Sequence, residues 1–136
     1  MRQTTITNVS EQKQVNSNIT GVAGGGAEIF QVIDVKTGSL NGVITPESQL
    51  KITGHNIKIA GDNPKNGICF VRTSNGSYTD VKAGEIIANN PSELIITVPP
   101  LPSGRYHLEI TTQYPAGKQW HDSLQTAIFD KILEVK

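Results

Sequence analysis

Between Arg105 and Gln113 the chain reads RYHLEITTQ, in which Tyr106, Leu108 and Ile110 alternate with His107, Glu109 and Thr111. A period of two is what a strand shows when one face packs on a core and the other meets water, and it does not fit the 3.6-residue period of an amphipathic helix. The same alternation recurs at Leu50 and Ile52 against Lys51 and Thr53. Composition extends the pattern to the whole chain: sixteen Ile, ten Val and thirteen Thr outnumber seven Leu and seven Ala, and branched side chains favour the pleated surface. Thirteen Gly, seven Pro and ten Asn supply the turns that many short strands require. The expectation is an all-β fold, and 136 residues hold one ordinary domain.

Strands and punctuation then follow in order. Residues 1–27 are polar and end in Gly24-Gly25-Gly26, so they read as a flexible arm or linker with at most one short strand at Thr4–Val9. Ordered structure is expected over residues 28–136, opening with EIFQVIDV and a turn at Lys36-Thr37-Gly38. After LKITG, Ile57 and Ile59 repeat the period, which predicts that the strand continues past a bend at Gly54-His55-Asn56. GDNPKNG is a concentrated turn, GICFVRT a central strand, and Asn75-Gly76 a tight hairpin leading to Tyr78 and Val81. AGEIIANNP fits either a helical turn or a short strand, ELIITV is a strand, and TAIFDKILEV supplies the closing one. Seven or so strands at turn spacings of roughly ten residues predict a β-sandwich, with a closed barrel as the alternative. The break at Pro99-Pro100-Leu101-Pro102, where three of four residues lack an amide donor, favours the sandwich because it suits a crossing between sheets.

Twelve Lys+Arg against twelve Asp+Glu give zero formal charge, which argues against free-standing nucleic-acid binding, since cations neutralising phosphates supply non-specific affinity. A basic face built from Lys51, Lys58, Lys65 and Lys82 is the competing possibility. Cys69 is the only cysteine, so no intrachain disulfide forms and a cysteine-rich zinc site is excluded; it reads as a buried thiol. The first 27 residues lack an apolar signal-peptide core, and no apolar run is long enough to cross a membrane. The expectation is a cytoplasmic protein that does not use a membrane.

The stretches VIDVKTGSLNGVITPESQLKITGHNIKIAGDNPKNGICFV, IIANNPSELIITVPPLPSGRYHLEITTQY and TAIFDKILEV resemble a Bacteroides-type immunoglobulin-like domain of unknown function over about residues 28–136. More loosely, P-x-x-x-L-x-I-x-G-x-N followed by VP and GxYxLxITT is similar to TIG-type Ig domains. The resemblance implies an immunoglobulin-like β-sandwich and an accessory role, because in that family the domain usually lies C-terminal to a histone-like HU-type DNA-binding domain. Residues 1–27 contain neither the helical body nor the basic β-arm of such a domain. DNA binding is therefore expected only through that neighbour, and the resemblance carries over no catalytic residue.

The residues themselves offer little catalytic chemistry. His55, His107 and His121 are far apart and in no metal-ligand spacing; Ser103 and Ser123 lie in no nucleophile elbow; Gly24-Gly25-Gly26 precedes a strand, not a phosphate-binding helix. Asp62, Asn63 and Asn66 fail the EF-hand pattern, and turn chemistry accounts for each. No enzyme activity, metal, cofactor or small-molecule ligand is expected. The most unusual loop is Tyr114-Pro115-Ala116-Gly117-Lys118-Gln119-Trp120-His121, with the only Trp. Tyr114, Lys118 and Trp120 are the candidate contacts for a protein partner, aromatics on loops offering large area at small entropic cost. The competing role for Trp120 is a lid over the open end of the sandwich. Tyr106, near the start of its strand, reads as a core or tyrosine-corner residue. The expected function is a non-enzymatic interaction or accessory module. Direct nucleic-acid contact and surface or carbohydrate adhesion are the alternatives.

Overall fold

The computed structural model describes residues 26–114 and 124–136. Nine strands occur among them: β1 (Glu28–Asp34), β2 (Gln49–His55), β3 (Gly67–Arg72), β4 (Tyr78–Asp80), β5 (Ile86–Asn89), β6 (Glu93–Thr97), β7 (Gly104–Thr112), β8 (Gln125–Ile128) and β9 (Leu133–Val135). One antiparallel sheet runs β1-β2-β6-β5; the other runs β8-β7-β3-β4, with β9 pairing the first residues of β7 where β8 pairs the last. The count exceeds seven for two reasons. The ambiguous AGEIIANNP segment forms both a 3₁₀ turn at Ala83–Glu85 and then β5, and the closing strand splits around Asp130-Lys131.

Alternation decides which side chains meet between the sheets. Leu50 and Ile52 of β2 and Leu94 and Ile96 of β6 face Ile68 and Phe70 of β3 and Tyr106, Leu108 and Ile110 of β7, all essentially buried. The last turn before β7 is tied by the Tyr106 hydroxyl, which donates to the Pro102 carbonyl at 2.6 Å, a tyrosine corner. Its proline-rich approach carries the chain from one sheet to the other, with Val98 and Leu101 buried.

The connection between β1 and β2 starts and ends in the first sheet but reaches across to the second. Asn41 adopts φ 57°, which Asn tolerates, and pairs with β1 twice, its amide donating to Val32 O and its Oδ1 accepting from Val32 N. The chain then makes a parallel bridge from Val43 to Glu134 and buries Ile44. A buried acid that the sequence pattern does not announce sits at this turn. Asp34 is fully enclosed, and its Oδ2 accepts from the hydroxyls of Thr37 and Thr45 at 2.7 Å each.

Two sequence expectations are corrected. Residues 57–60 do not resume the strand. Asn56 turns the chain at φ 54°, Ile57 is buried, and the segment leaves β2 to bridge the two sheets. Cys69 is not in the core: it points outward from β3, half-buried, beside Asp80 of β4 and Glu109 of β7. Four consecutive apolar residues in β3 had concealed an ordinary alternation, in which Ile68 and Phe70 go inward. No helix among the described residues is long and apolar enough to cross a membrane.

Candidate functional site

The order β1-β2-β6-β5 against β8-β7-β3-β4 places three connections at one end: β2 to β3, β5 to β6 and β7 to β8. In an immunoglobulin sandwich the equivalent end carries variable contact loops. Here its backbone is held by side chains in place of a ladder. Ile57 N donates to Pro91 O, and Asn89 takes both polar groups of Ile59, its Oδ1 accepting from the amide and its Nδ2 donating to the carbonyl. From the opposite sheet the Thr112 hydroxyl donates to Lys58 O at 2.6 Å and accepts from Ala60 N and Tyr114 N at 3.1 Å each. One proton and two lone pairs are the whole capacity of a hydroxyl. Residues 57–60 are thereby fastened to both sheets.

The neighbouring turn is locked by Gln113, which is buried. Its amide donates to Ala60 O, and its Oε1 accepts from Asn63 N and Asn66 Nδ2 at 3.0 and 2.9 Å. Gly61 is required there for two reasons: its φ is +110°, and a Cβ would collide with the Gln113 side chain. Asn63 makes the expected Asx turn, Oδ1 accepting from Lys65 N. Asn66 does more than turn chemistry, since its amide also bonds Ala60 O.

Above this frame Lys58 Nζ stands 6.0 Å from the Tyr114 ring centroid, a cation–aromatic pair on the half-buried margin of the loop end. Of the three candidate contacts only Tyr114 is among the described residues; Lys118 and Trp120 lie outside them, as does His121. Lys58, Thr112 and Gln113 were missed as parts of this site. Strand parity was the available signal for Thr112: with Leu108 and Ile110 inward, position 112 must also point inward, where a hydroxyl needs partners.

The remaining candidates are dispersed. His55 is exposed at the end of β2, and His107 is half-buried on the outer face of β7, where burial lowers its pKa below 6.5. Lys51 lies on the outer face of the first sheet, where its charge is paired with Glu93 at 3.1 Å. The Cys69 thiol is pushed up to about 11 by burial first and then by Glu109 and Asp80. No group of three or more His, Cys, Asp or Glu side chains among the described residues could hold a metal ion.

Two antiparallel sheets in this order, closed by a tyrosine corner, define the immunoglobulin-like class. Within it, residues 28–127 match the family described as "Domain of unknown function (DUF4469) with IG-like fold", and the chain belongs to that family. Among solved structures it is similar to a Bacteroides vulgatus ATCC 8482 protein described as a "Putative bacterial DNA binding protein", at 22% identity with a TM-score of 0.77. The similarity covers 93% of this chain but 54% of that one, so this chain spans about half the length of its structural relative. No curated protein matches it.

Proposed function

We propose that this chain is a non-enzymatic immunoglobulin-like interaction module that serves as an accessory to a linked HU-type DNA-binding domain, with protein contacts through Lys58 and Tyr114 at the loop end and through Lys118 and Trp120 of the segment that follows Tyr114 in sequence. DNA is reached only through the linked domain, and no cofactor or small-molecule substrate takes part. The observation that carries the reading is the mismatch between charge and association. The structural relative described as binding DNA extends well beyond the matched region, whereas this chain has twelve cations cancelled by twelve acids. The cytoplasm is its proposed location, in keeping with a single cysteine and hence no intrachain disulfide.

A mobility-shift titration on a short DNA duplex at low salt tests it. This chain alone is expected to give no shift at tens of micromolar protein, and a fusion to an HU-type domain is expected to bind. Salt-dependent binding by this chain alone would replace the accessory reading with direct contact.

A further inference from the structure

Three of the ten asparagines stand immediately before a glycine: Asn41-Gly42, Asn66-Gly67 and Asn75-Gly76. In such a pair the glycine amide nitrogen, with no neighbouring side chain to shield it, is placed to attack the side-chain carbonyl carbon of the asparagine. The fold treats the three pairs differently. Asn66 is half-buried, and its Nδ2 donates to Ala60 O and Gln113 Oε1 within the frame that locks the loop end. Asn41 is also half-buried and is tied to Val32 of β1 twice, through its own amide and through its Oδ1. Asn75 stands on the hairpin between β3 and β4, where residues 73–80 are all exposed. Two donors converge on its Oδ1, the Ser77 amide at 3.0 Å and the Ser77 hydroxyl at 2.8 Å. Among the described residues no acceptor takes its Nδ2, and the Gly76 amide donates to Arg72 O at 2.8 Å.

We propose that Asn75 is a self-modification site, at which the Gly76 nitrogen closes a succinimide on the Asn75 side chain and water opens it to aspartate or isoaspartate. The Gly76 nitrogen gives its proton to solvent and bonds to Cγ of Asn75; Nδ2 takes up a proton and leaves as ammonia. Water then adds at one of the two ring carbonyls. Cleavage of the new Cγ–N bond restores the backbone and leaves aspartate, whereas cleavage of the original peptide bond routes the backbone through the side chain as isoaspartate. Water is the only co-reactant, and nothing is oxidised or reduced. The two Ser77 donors sit where negative charge develops on Oδ1 during the attack, the arrangement that stabilises a tetrahedral intermediate. The bond from Gly76 to Arg72 O must open first, and on an exposed hairpin tip such local opening costs little. At Asn66 and Asn41 the side chain must instead be released from contacts with distant strands and loops. Either product places a carboxylate on the tip, and isoaspartate also lengthens the turn that sets the three-residue pairing of β4 on β3.

Ageing of the folded full chain at pH 8, followed by tryptic digestion and mass spectrometry, tests this, because the three pairs fall in separate peptides: 37–51, 66–72 and 73–82. The 73–82 peptide is expected to convert from amide to acid at least about tenfold faster than the other two, a difference of about 1.4 kcal/mol in barrier. In urea-unfolded chain the three are expected to convert at similar rates. Ser77→Ala, an exposed change whose fold circular dichroism checks, is expected to slow conversion at Asn75 by about threefold or more, less than a buried oxyanion donor supplies. Conversion first in the 37–51 or 66–72 peptide, a preference for Asn75 that persists in urea, or a folded Ser77→Ala variant that converts at or above the wild-type rate overturns the proposal.

Discussion

Thr112→Val removes one oxygen and keeps the branched shape, which makes it the sharpest probe of how the loop end is built. Three backbone groups lose their partner at once: the Lys58 carbonyl, the Ala60 amide and the Tyr114 amide. A buried backbone group left unpaired costs about 1–3 kcal/mol. Lys58, Ala60 and Tyr114 are only half-buried, so water repairs part of the loss, while Thr112 itself is fully enclosed and its replacement methyl returns under about 1 kcal/mol. The net expectation is a destabilisation of about 2–3 kcal/mol. With a urea m-value of roughly 1–1.5 kcal/mol/M for a chain of this size, the unfolding midpoint should fall by about 2 M at unchanged slope. Thr112→Ser retains the three bonds and should lose no more than about 1 kcal/mol. Hydrogen exchange adds a local readout, since the Ala60 amide should lose protection in the valine variant and keep it in the serine one. A valine variant within about 0.5 kcal/mol of wild type, or a serine variant as damaged as valine, would show that the hydroxyl does not anchor the loop end.

Three further outcomes follow from other parts of the sandwich. Tyr106→Phe deletes the bond to Pro102 O from a buried ring and is expected to cost about 1–1.5 kcal/mol by chemical denaturation, with no loss of fold. Cys69, with its thiol pushed up to about 11, should alkylate roughly two orders of magnitude more slowly at pH 8 than a free cysteine, and Glu109→Gln should speed the reaction by removing the acid that raises the thiol more; a rate equal to that of a free thiol would refute the assignment. His107 has a folded-state pKa below 6.5, so the unfolded chain binds the extra proton first. Stability is therefore full above pH 6.5 and falls as the pH drops through the interval beneath it. His107→Gln should flatten that part of a denaturation-midpoint profile.

The parts of the fold that the sequence showed are those where one rule acted alone. Alternation in β2 and β7 placed Leu50 and Leu108 inward because each of those strands covers the core with one face. Asn75-Gly76 marked a hairpin because Gly76 takes φ 74° and Asn75 caps the turn by accepting from Ser77 N. Legibility failed where tertiary bonding replaced local pattern. Ile57 and Ile59 have strand periodicity, yet their backbone partners are Pro91 and Asn89, about thirty residues away, and no local signal distinguishes such a bridge from a strand. Asp34 lies within the EIFQVIDV run, where no local pattern marks it as buried, and its enclosure depends on Thr45 arriving from the far side of the loop. The loop end was half visible: its aromatic content pointed to Tyr114, while the Lys58 that stands over it is brought there by Thr112, fifty-four residues away.

Equal numbers of cations and acids do not by themselves prevent DNA binding, since what matters is how many unpaired cations one surface offers to phosphates. Several of the described ones are already engaged within the fold. Lys51 is paired with Glu93 on the outer face of the first sheet, and Lys131 with Asp130 in the closing segment. Arg72 donates to Ser103 O and lies over the Tyr106 ring, and Arg105 shares its outer face with Glu109 and is registered with Glu134. Lys58 stands at the loop end over the Tyr114 ring. A duplex lying on one such surface would neutralise one or two phosphates, and each contributes about −0.9 to the slope of log affinity against log salt. Any residual DNA binding by this chain should therefore show a slope of about −2 or shallower in fluorescence anisotropy, and Lys58→Ala should reduce it by about one unit if the loop end is the contact. A slope of about −4 or steeper would mean that cations gather on one surface after all, and it would move DNA contact from the proposed neighbour to this domain.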